Sequence, residues 1–250
     1  MRRFGATVAV AAVGVCLAGC TVTADPQAAE SPPAVRIDPA VVPSESRPLA
    51  PILPTAEELS DLLGTAGFTG PLVDGDADAL LAGITDAAAS PPECVGPAYR
   101  LQKSVYGTGP VRGVASRSWA GGSGEQPTMS GFFGVVRFAT PTDAEAFFAA
   151  AADTWYRCNG QTLVLDQRGG GASRITGVTV DHAGEHAVVS AVVMRDTGTA
   201  MQRALGVARD YVVDIEITDG EITDELTGGA AAGDTRGAVA VADLMLRKIG

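Results

Sequence analysis

The chain contains only two histidines, and both fall in one short run, His182-Ala183-Gly184-Glu185-His186. That spacing is the inverted zinc-protease pattern, in which two imidazoles hold the metal and the glutamate serves as base. The chemistry requires a helix that brings both imidazoles to one face. Gly184 interrupts the run and its flanks alternate as strands do, so the pattern predicts a polar turn between two strands. A zinc-dependent hydrolase using His182, Glu185 and His186 is therefore the alternative reading, and no metal is expected. Asp74, Asp76 and Asp78 alternate like the start of a calcium loop, but Leu80 follows and no glutamate closes the loop. Gly107 to Gly113 misses the dinucleotide spacing and contains Pro110. Gly169-Gly170-Gly171 lacks the Lys-Ser/Thr of a phosphate loop, and Gly121-Gly122-Ser123-Gly124 lacks a nucleophile-elbow frame with an acid–histidine pair. No catalytic residue and no cofactor is expected.

Arg203 carries a sharper question. It stands among Leu205 and Val207 in an alternating apolar run, where a guanidinium needs a carboxylate or an anionic ligand. Arg209-Asp210 can form a two-residue hairpin loop, which places Arg203 opposite Glu216 and Met201 opposite Thr218. A cross-strand pair with Glu216 is the simpler outcome. The functional outcome is an anion received in a cleft by Arg203 together with Arg137.

Four cysteines define the compartment. Arg2 and Arg3 precede an apolar stretch that ends in Leu17-Ala18-Gly19-Cys20, the layout of a bacterial lipoprotein leader. Residues 1–19 are read as the signal peptide, and Cys20 as the lipidated mature N-terminus on the outer face of the cell membrane. Cys16 leaves with the leader. Cys94 and Cys158 remain in an oxidising compartment, and a disulfide between them is expected. Residues 20–53, rich in Pro and Ala, read as a flexible tether, and 54–250 as the folded domain. A hydrophobic fraction of 46% provides for a core, while a net charge of −11 and an aromatic share of 5% argue against nucleic acid as a partner.

The elements that must position these residues follow from capping and period. Thr55-Ala56-Glu57-Glu58 is a capping box before Leu59, Leu62 and Leu63, with Gly64 as the stop. Ser90-Pro91-Pro92-Glu93-Cys94 opens a short helix expected to run to Lys103. Strands are expected over 111–119 and 129–139, the latter with Phe132, Val136 and Phe138 opposite Phe133, Val135 and Arg137. Thr140-Pro141-Thr142-Asp143 opens a helix whose stripe is Ala144, Phe147, Phe148, Ala151 and Trp155. Strands follow at 161–166, 175–180 and 187–195, then the hairpin, with Tyr211, Val213, Ile215 and Ile217 as its core face. Asp234 precedes a final helix. This order indicates α+β with an antiparallel sheet.

The chain resembles the PknH-like extracellular sensor domain family. The resemblance rests on Leu53-Pro54-Thr55-Ala56-Glu57 with Leu62-Leu63-Gly64, and on Ser90 to Cys94. It rests equally on Ala144 to Phe148 leading to Trp155 and Cys158, and on Gln202-Arg203-Ala204-Leu205 before Val212-Val213. It implies a curved antiparallel β-sheet packed with helices, in a single domain with a cleft that receives a ligand, and it implies the Cys94–Cys158 bridge. Relatives often carry a second cysteine pair, which here is replaced by Met201 and Thr218. The resulting expectation is a lipid-anchored, extracytoplasmic, non-catalytic sensor or binding domain. Its partners would be the membrane through Cys20, and an unknown small ligand or envelope protein. An envelope protein that makes protein contacts only is a further alternative.

Overall fold

The computed structural model describes residues 47–122, 128–166, 170–183, 186–219 and 235–250. The first helix, α1 (Ala56–Leu63), starts where its caps dictate. Thr55 Oγ1 accepts from the Glu58 amide at 3.1 Å, and the Thr55 amide donates to Glu58 Oε2 at 2.8 Å. Gly64 ends it with φ 71°, a left-handed value that glycine adopts without strain. Two short strands, β1 (Gly67–Thr69) and β2 (Val73–Gly75), and a two-residue β3 (Ala89–Ser90) follow. The helix expected to continue to Lys103 is instead broken. A 3-10 turn at Pro92–Cys94 runs into α2 (Val95–Ala98), Tyr99 is extended, Leu101 has φ 48°, and α3 (Lys103–Tyr106) begins anew.

The long strands β4 (Val111–Gly121) and β5 (Met129–Phe138) form a hairpin. Helix α4 (Pro141–Cys158) crosses from β5 to β6 (Thr162–Leu165), and a meander of β7 (Ala172–Ala183), β8 (His186–Arg195), β9 (Ala200–Ala208) and β10 (Tyr211–Asp219) returns to pair with β5. The sheet order is β1-β4-β5-β10-β9-β8-β7-β6-β3, with β2 also on β4, and every strand pair is antiparallel. The last helix is α5 (Arg236–Ile249). No helix among the described residues is long and apolar enough to cross a membrane.

Both faces of the sheet are covered. Helix α4, with the α2–α3 segment, packs on Phe138, Val189, Leu205 and Val212, whereas α5 and α1 pack on Val135, Val213, Ile215 and Ile217. Tyr211, Val213, Ile215 and Ile217 therefore face the α5 core as the alternation required. The opposite face of β10 is buried too, which strict alternation of one wet and one dry face did not foresee. Leu49, Ile52 and Leu53 are buried against α5, so the folded domain begins ahead of residue 54 and takes in the end of the expected tether. Lys248 Nζ fastens this start to α5 by donating to the Leu53 carbonyl at 3.1 Å and to Glu58 Oε2 at 2.6 Å.

Cys94 and Cys158 are disulfide-bonded, with Cα atoms 5.7 Å apart across a sequence separation of 64. The bridge fixes the 3-10 turn to the C-terminal end of α4. Closing a loop of that length is worth roughly 4 kcal/mol in the chain-entropy account. The β9–β10 hairpin has the register read from its two-residue loop: Arg203 pairs with Glu216 and Met201 with Thr218. Directly opposed antiparallel residues lie within the span a disulfide bridges. Met201→Cys with Thr218→Cys should therefore oxidise spontaneously and raise thermal stability; a purified double variant that keeps two free thiols would contradict the register.

Candidate functional site

On the α4 face the structure assembles a buried polar network at the centre of the sheet. Arg203 is 0% exposed in its side chain and Asp214 2%. The Arg203 Nη1 atom lies 2.8 Å from Asp214 Oδ1, while its aligned hydrogen bond goes to the Ile215 carbonyl at 2.7 Å. Nε donates to the Pro97 carbonyl and Nη2 to the Gly96 carbonyl, each at 3.2 Å. Asp214 Oδ2 accepts from the Leu101 amide at 2.9 Å and from the Tyr106 hydroxyl at 2.8 Å. The left-handed backbone at Leu101 turns that amide toward the carboxylate. Gly134 makes room for the Leu101 side chain, since a Cβ there would meet Leu101 Cδ1 at 2.6 Å.

These contacts correct two sequence expectations. Arg203 faces Glu216 in register, yet it pairs with Asp214, its diagonal neighbour; Glu216 pairs instead with Arg100, whose guanidinium stacks 3.7 Å over Phe132. Arg203 also cannot share a cleft with Arg137. Met201, Leu205 and Val207 place Arg203 on the α4 face, whereas Arg137 shares the side of Phe133 and Val135 on the α5 face. With its donors taken by protein acceptors and no solvent contact, Arg203 is a structural anchor. Asp214, Tyr106 and Arg100 were not singled out from the sequence. The available signal was an aspartate two residues from Glu216 within an apolar strand, since a buried carboxylate in a sheet demands a cation at a cross-strand or diagonal position.

The network forms the rear support of a cleft. A pocket of about 400 Å³ lies between the α2–α3 segment and α4, lined by Pro92, Val105, Phe147, Ala151 and Trp155 among others. Phe147 is held by Tyr106 at 4.7 Å between ring centroids and by Phe138 at 5.1 Å. Trp155, expected in the core stripe of its helix, is buried there while its edge reaches the pocket wall. Ser104 also lines this pocket, and its hydroxyl is buried with no hydrogen-bond partner among the described residues. Asp86 and Glu93 lie at its edge without ion pairs among the described residues.

The other sequence motifs resolve as turns and strands. His182 lies in β7 and His186 in β8, one ladder position apart, and both line a shallow pocket beside α4 with Glu145 and Asp153; Gly184 and Glu185 lie outside the described residues. A strand pair cannot give the one-face helical arrangement that the zinc pattern needs, and no metal-competent cluster occurs among the described residues. Asp76 caps a 3-10 turn through the Asp78 amide, and Asp78 pairs with Lys103. Gly107 closes α3. Cys20, Ser123, Gly124 and Gly169 lie outside the described residues.

Burial pushes the Tyr106 phenol well above its usual value of 10.0, and the adjacent Asp214 charge adds to the shift. The folded protein thus holds this proton more tightly than the unfolded chain. Its contribution is complete below about pH 10 and is lost as pH rises, because the unfolded phenol then ionises first. Tyr106→Phe should flatten the decline in stability above pH 10 while costing about 1–3 kcal/mol at neutral pH, read by denaturant unfolding across pH. Asp214→Leu, which leaves Arg203 buried and unpaired, should cost about 3–5 kcal/mol, and adding Arg203→Met should recover most of it. A fully additive double variant would show that the pair is not coupled.

The model of the PknH-like extracellular domain matches residues 44–248 of the chain. The serine/threonine-protein kinase PknH of Mycobacterium bovis is 30% identical over 190 residues, which cover 72% of this chain and 31% of that kinase. The kinase PknH of Mycobacterium tuberculosis is likewise 30% identical over 190 residues, covering 72% of this chain and 29% of the kinase. The chain thus spans less than a third of the length of these relatives. The crystal structure of the extracellular domain of PknH from M. tuberculosis has the same fold, with a TM-score of 0.63 at 21% identity, covering 81% of this chain and 97% of that one. With the antiparallel sheet, the Cys94–Cys158 bridge and the match over residues 44–248, the chain belongs to the PknH-like extracellular domain family.

Proposed function

We propose that the protein is a lipid-anchored extracytoplasmic sensor domain that performs no chemistry and holds a small ligand in the cleft between α4 and the α2–α3 segment. The observation that carries this reading is the Ser104 hydroxyl, buried without a hydrogen-bond partner among the described residues in the wall of an otherwise largely apolar pocket. Leaving such a group unsatisfied costs about 1–3 kcal/mol, which a ligand acceptor or donor would recover. Apolar walls with a few polar groups are the usual composition of small-molecule sites. The disulfide and the Arg203–Asp214 network hold the α2–α3 wall rigid from behind, and a preformed site binds without an ordering cost. Membrane attachment rests on the Leu17-Ala18-Gly19-Cys20 sequence, with the Pro- and Ala-rich stretch that follows it as the tether.

A second reading, contact with an envelope protein, draws support from the β1–β2 edge. There Phe68 is 70% exposed, with Leu72 and Val73 also exposed nearby in sequence, and exposed apolar groups of this kind mark interaction surfaces.

Native mass spectrometry of the exported chain carrying Cys20→Ser separates the two. A retained small-molecule mass, lost in Ala151→Trp (which fills the pocket) and reduced in Ser104→Ala, is the expected result. A bare mass together with loss of partner capture in Phe68→Ser would instead establish the protein-contact reading.

A further inference from the structure

Arg137, separated from Arg203 by the sheet, joins two other arginines. Arg47, Arg112 and Arg137 line one pocket of about 320 Å³ on the α5 side of β4 and β5, with Asp74, Asp76 and Gly113. The backbone sets each of them there. In the β4–β5 ladder Val111 faces Phe138 and Gly113 faces Arg137, so Arg112 is the extra residue of a bulge. A bulge re-aims its side chain and is common beside binding sites. Arg137 Nη1 donates to the Arg47 carbonyl at 3.3 Å, and its Nη2 occupies space that a side chain at Gly113 would crowd, 3.4 Å from a Cβ placed there. Arg47 Nη1 reaches the Ile249 carbonyl at the end of α5 at 3.4 Å.

None of the three guanidiniums has an ion pair among the described residues. Asp76 Oδ1 is turned to the Asp78 amide at 2.9 Å, and Asp74 is exposed at the rim. Within a chain of net charge −11, three arginines without ion pairs among the described residues line this pocket against two aspartates, so its lining is net positive.

We propose that this pocket binds a phosphate-type oxyanion, carried as free phosphate or as the headgroup of a membrane lipid. Guanidinium forks present paired N–H groups at the spacing of tetrahedral oxyanions, and Arg112 and Arg137 keep the donors to do so. The pocket is built partly by Arg47, where the described chain begins. For the lipid source, the inference rests on the anchoring reading.

Calorimetry of the exported chain carrying Cys20→Ser, titrated with inorganic phosphate, should show binding that weakens with added salt. Arg112→Gln and Arg137→Gln should each lower the affinity about tenfold or more with no change in thermal midpoint. Asp74→Asn should strengthen it by removing a like charge. Sedimentation with phosphatidylcholine vesicles, with and without phosphatidylglycerol, distinguishes the sources. Arginine-dependent binding to the anionic vesicles assigns a lipid headgroup, and phosphate binding alone assigns the free anion. No phosphate binding at about 10 mM, affinity unchanged in both arginine variants, or weaker binding by Asp74→Asn would overturn the proposal. Since the Ser104 cleft lies on the other face of the sheet, loss of phosphate binding with cleft-ligand retention intact would separate the failure of one site from the other.

Discussion

A guanidinium without solvent contact must be met by acceptors from several elements at once, and Arg203 is met in this way. Its partners are the Asp214 carboxylate and Ile215 carbonyl of the neighbouring strand, and the Gly96 and Pro97 carbonyls of the α2 segment. Asp214 in turn satisfies the Leu101 amide and the Tyr106 hydroxyl. A buried ion pair of this kind yields little net stability over an apolar substitute, but removing one partner is severe. Its effect here is therefore positional. It dictates where the irregular α2–α3 segment lies on the sheet, and every residue of that segment that lines the cleft inherits its place from the pair.

The sheet explains why such a pair can exist. With α5 and α1 on one face and α4 with the α2–α3 segment on the other, the central strands lose contact with water on both sides. Polar groups entering those strands must be satisfied within the protein. Toward β5 the same face of β10 carries Glu216, paired with an Arg100 that rests on Phe132, so charge is drawn in stepwise from the partly exposed edge to the fully buried centre. The disulfide fixes the beginning of the segment to α4, and the ion pair fixes its middle to the sheet. Between the two, the wall facing α4 is fixed in place, and in it the Ser104 hydroxyl has no hydrogen-bond partner among the described residues.

The family relationship and the fold agree with one another, and the details of this chain sit on top of them. Met201 and Thr218 face each other at the hairpin end, with no disulfide between them. On the α5 face the bulge at Arg112 and the absence of a side chain at Gly113 create a second polar pocket with its own charge. The two pockets lie on opposite faces and share no lining residue.

Local chemistry was legible in the sequence wherever one segment contains its own instructions. The capping box at Thr55 and Glu58, the Thr140-Pro141 start of α4, the alternation of β5 and the two-residue loop that sets the β9–β10 register all appear as read. Cys94 and Cys158 were read as a pair because Cys16 and Cys20 were assigned to the leader and the lipidation site, and the two are bonded. What the sequence could not decide was which of several charged residues in range would meet. Arg203 had a facing glutamate and a diagonal aspartate. The choice of Asp214 came from Gly96, Pro97 and Leu101, residues about a hundred positions away that arrive only when the α2–α3 segment docks. Arg137 likewise was read as a partner of Arg203, and only the pleat of a sheet covered on both sides shows that they point to different cores. Hairpin register is fixed by a local turn, but the burial of a charge is settled by everything that packs over it.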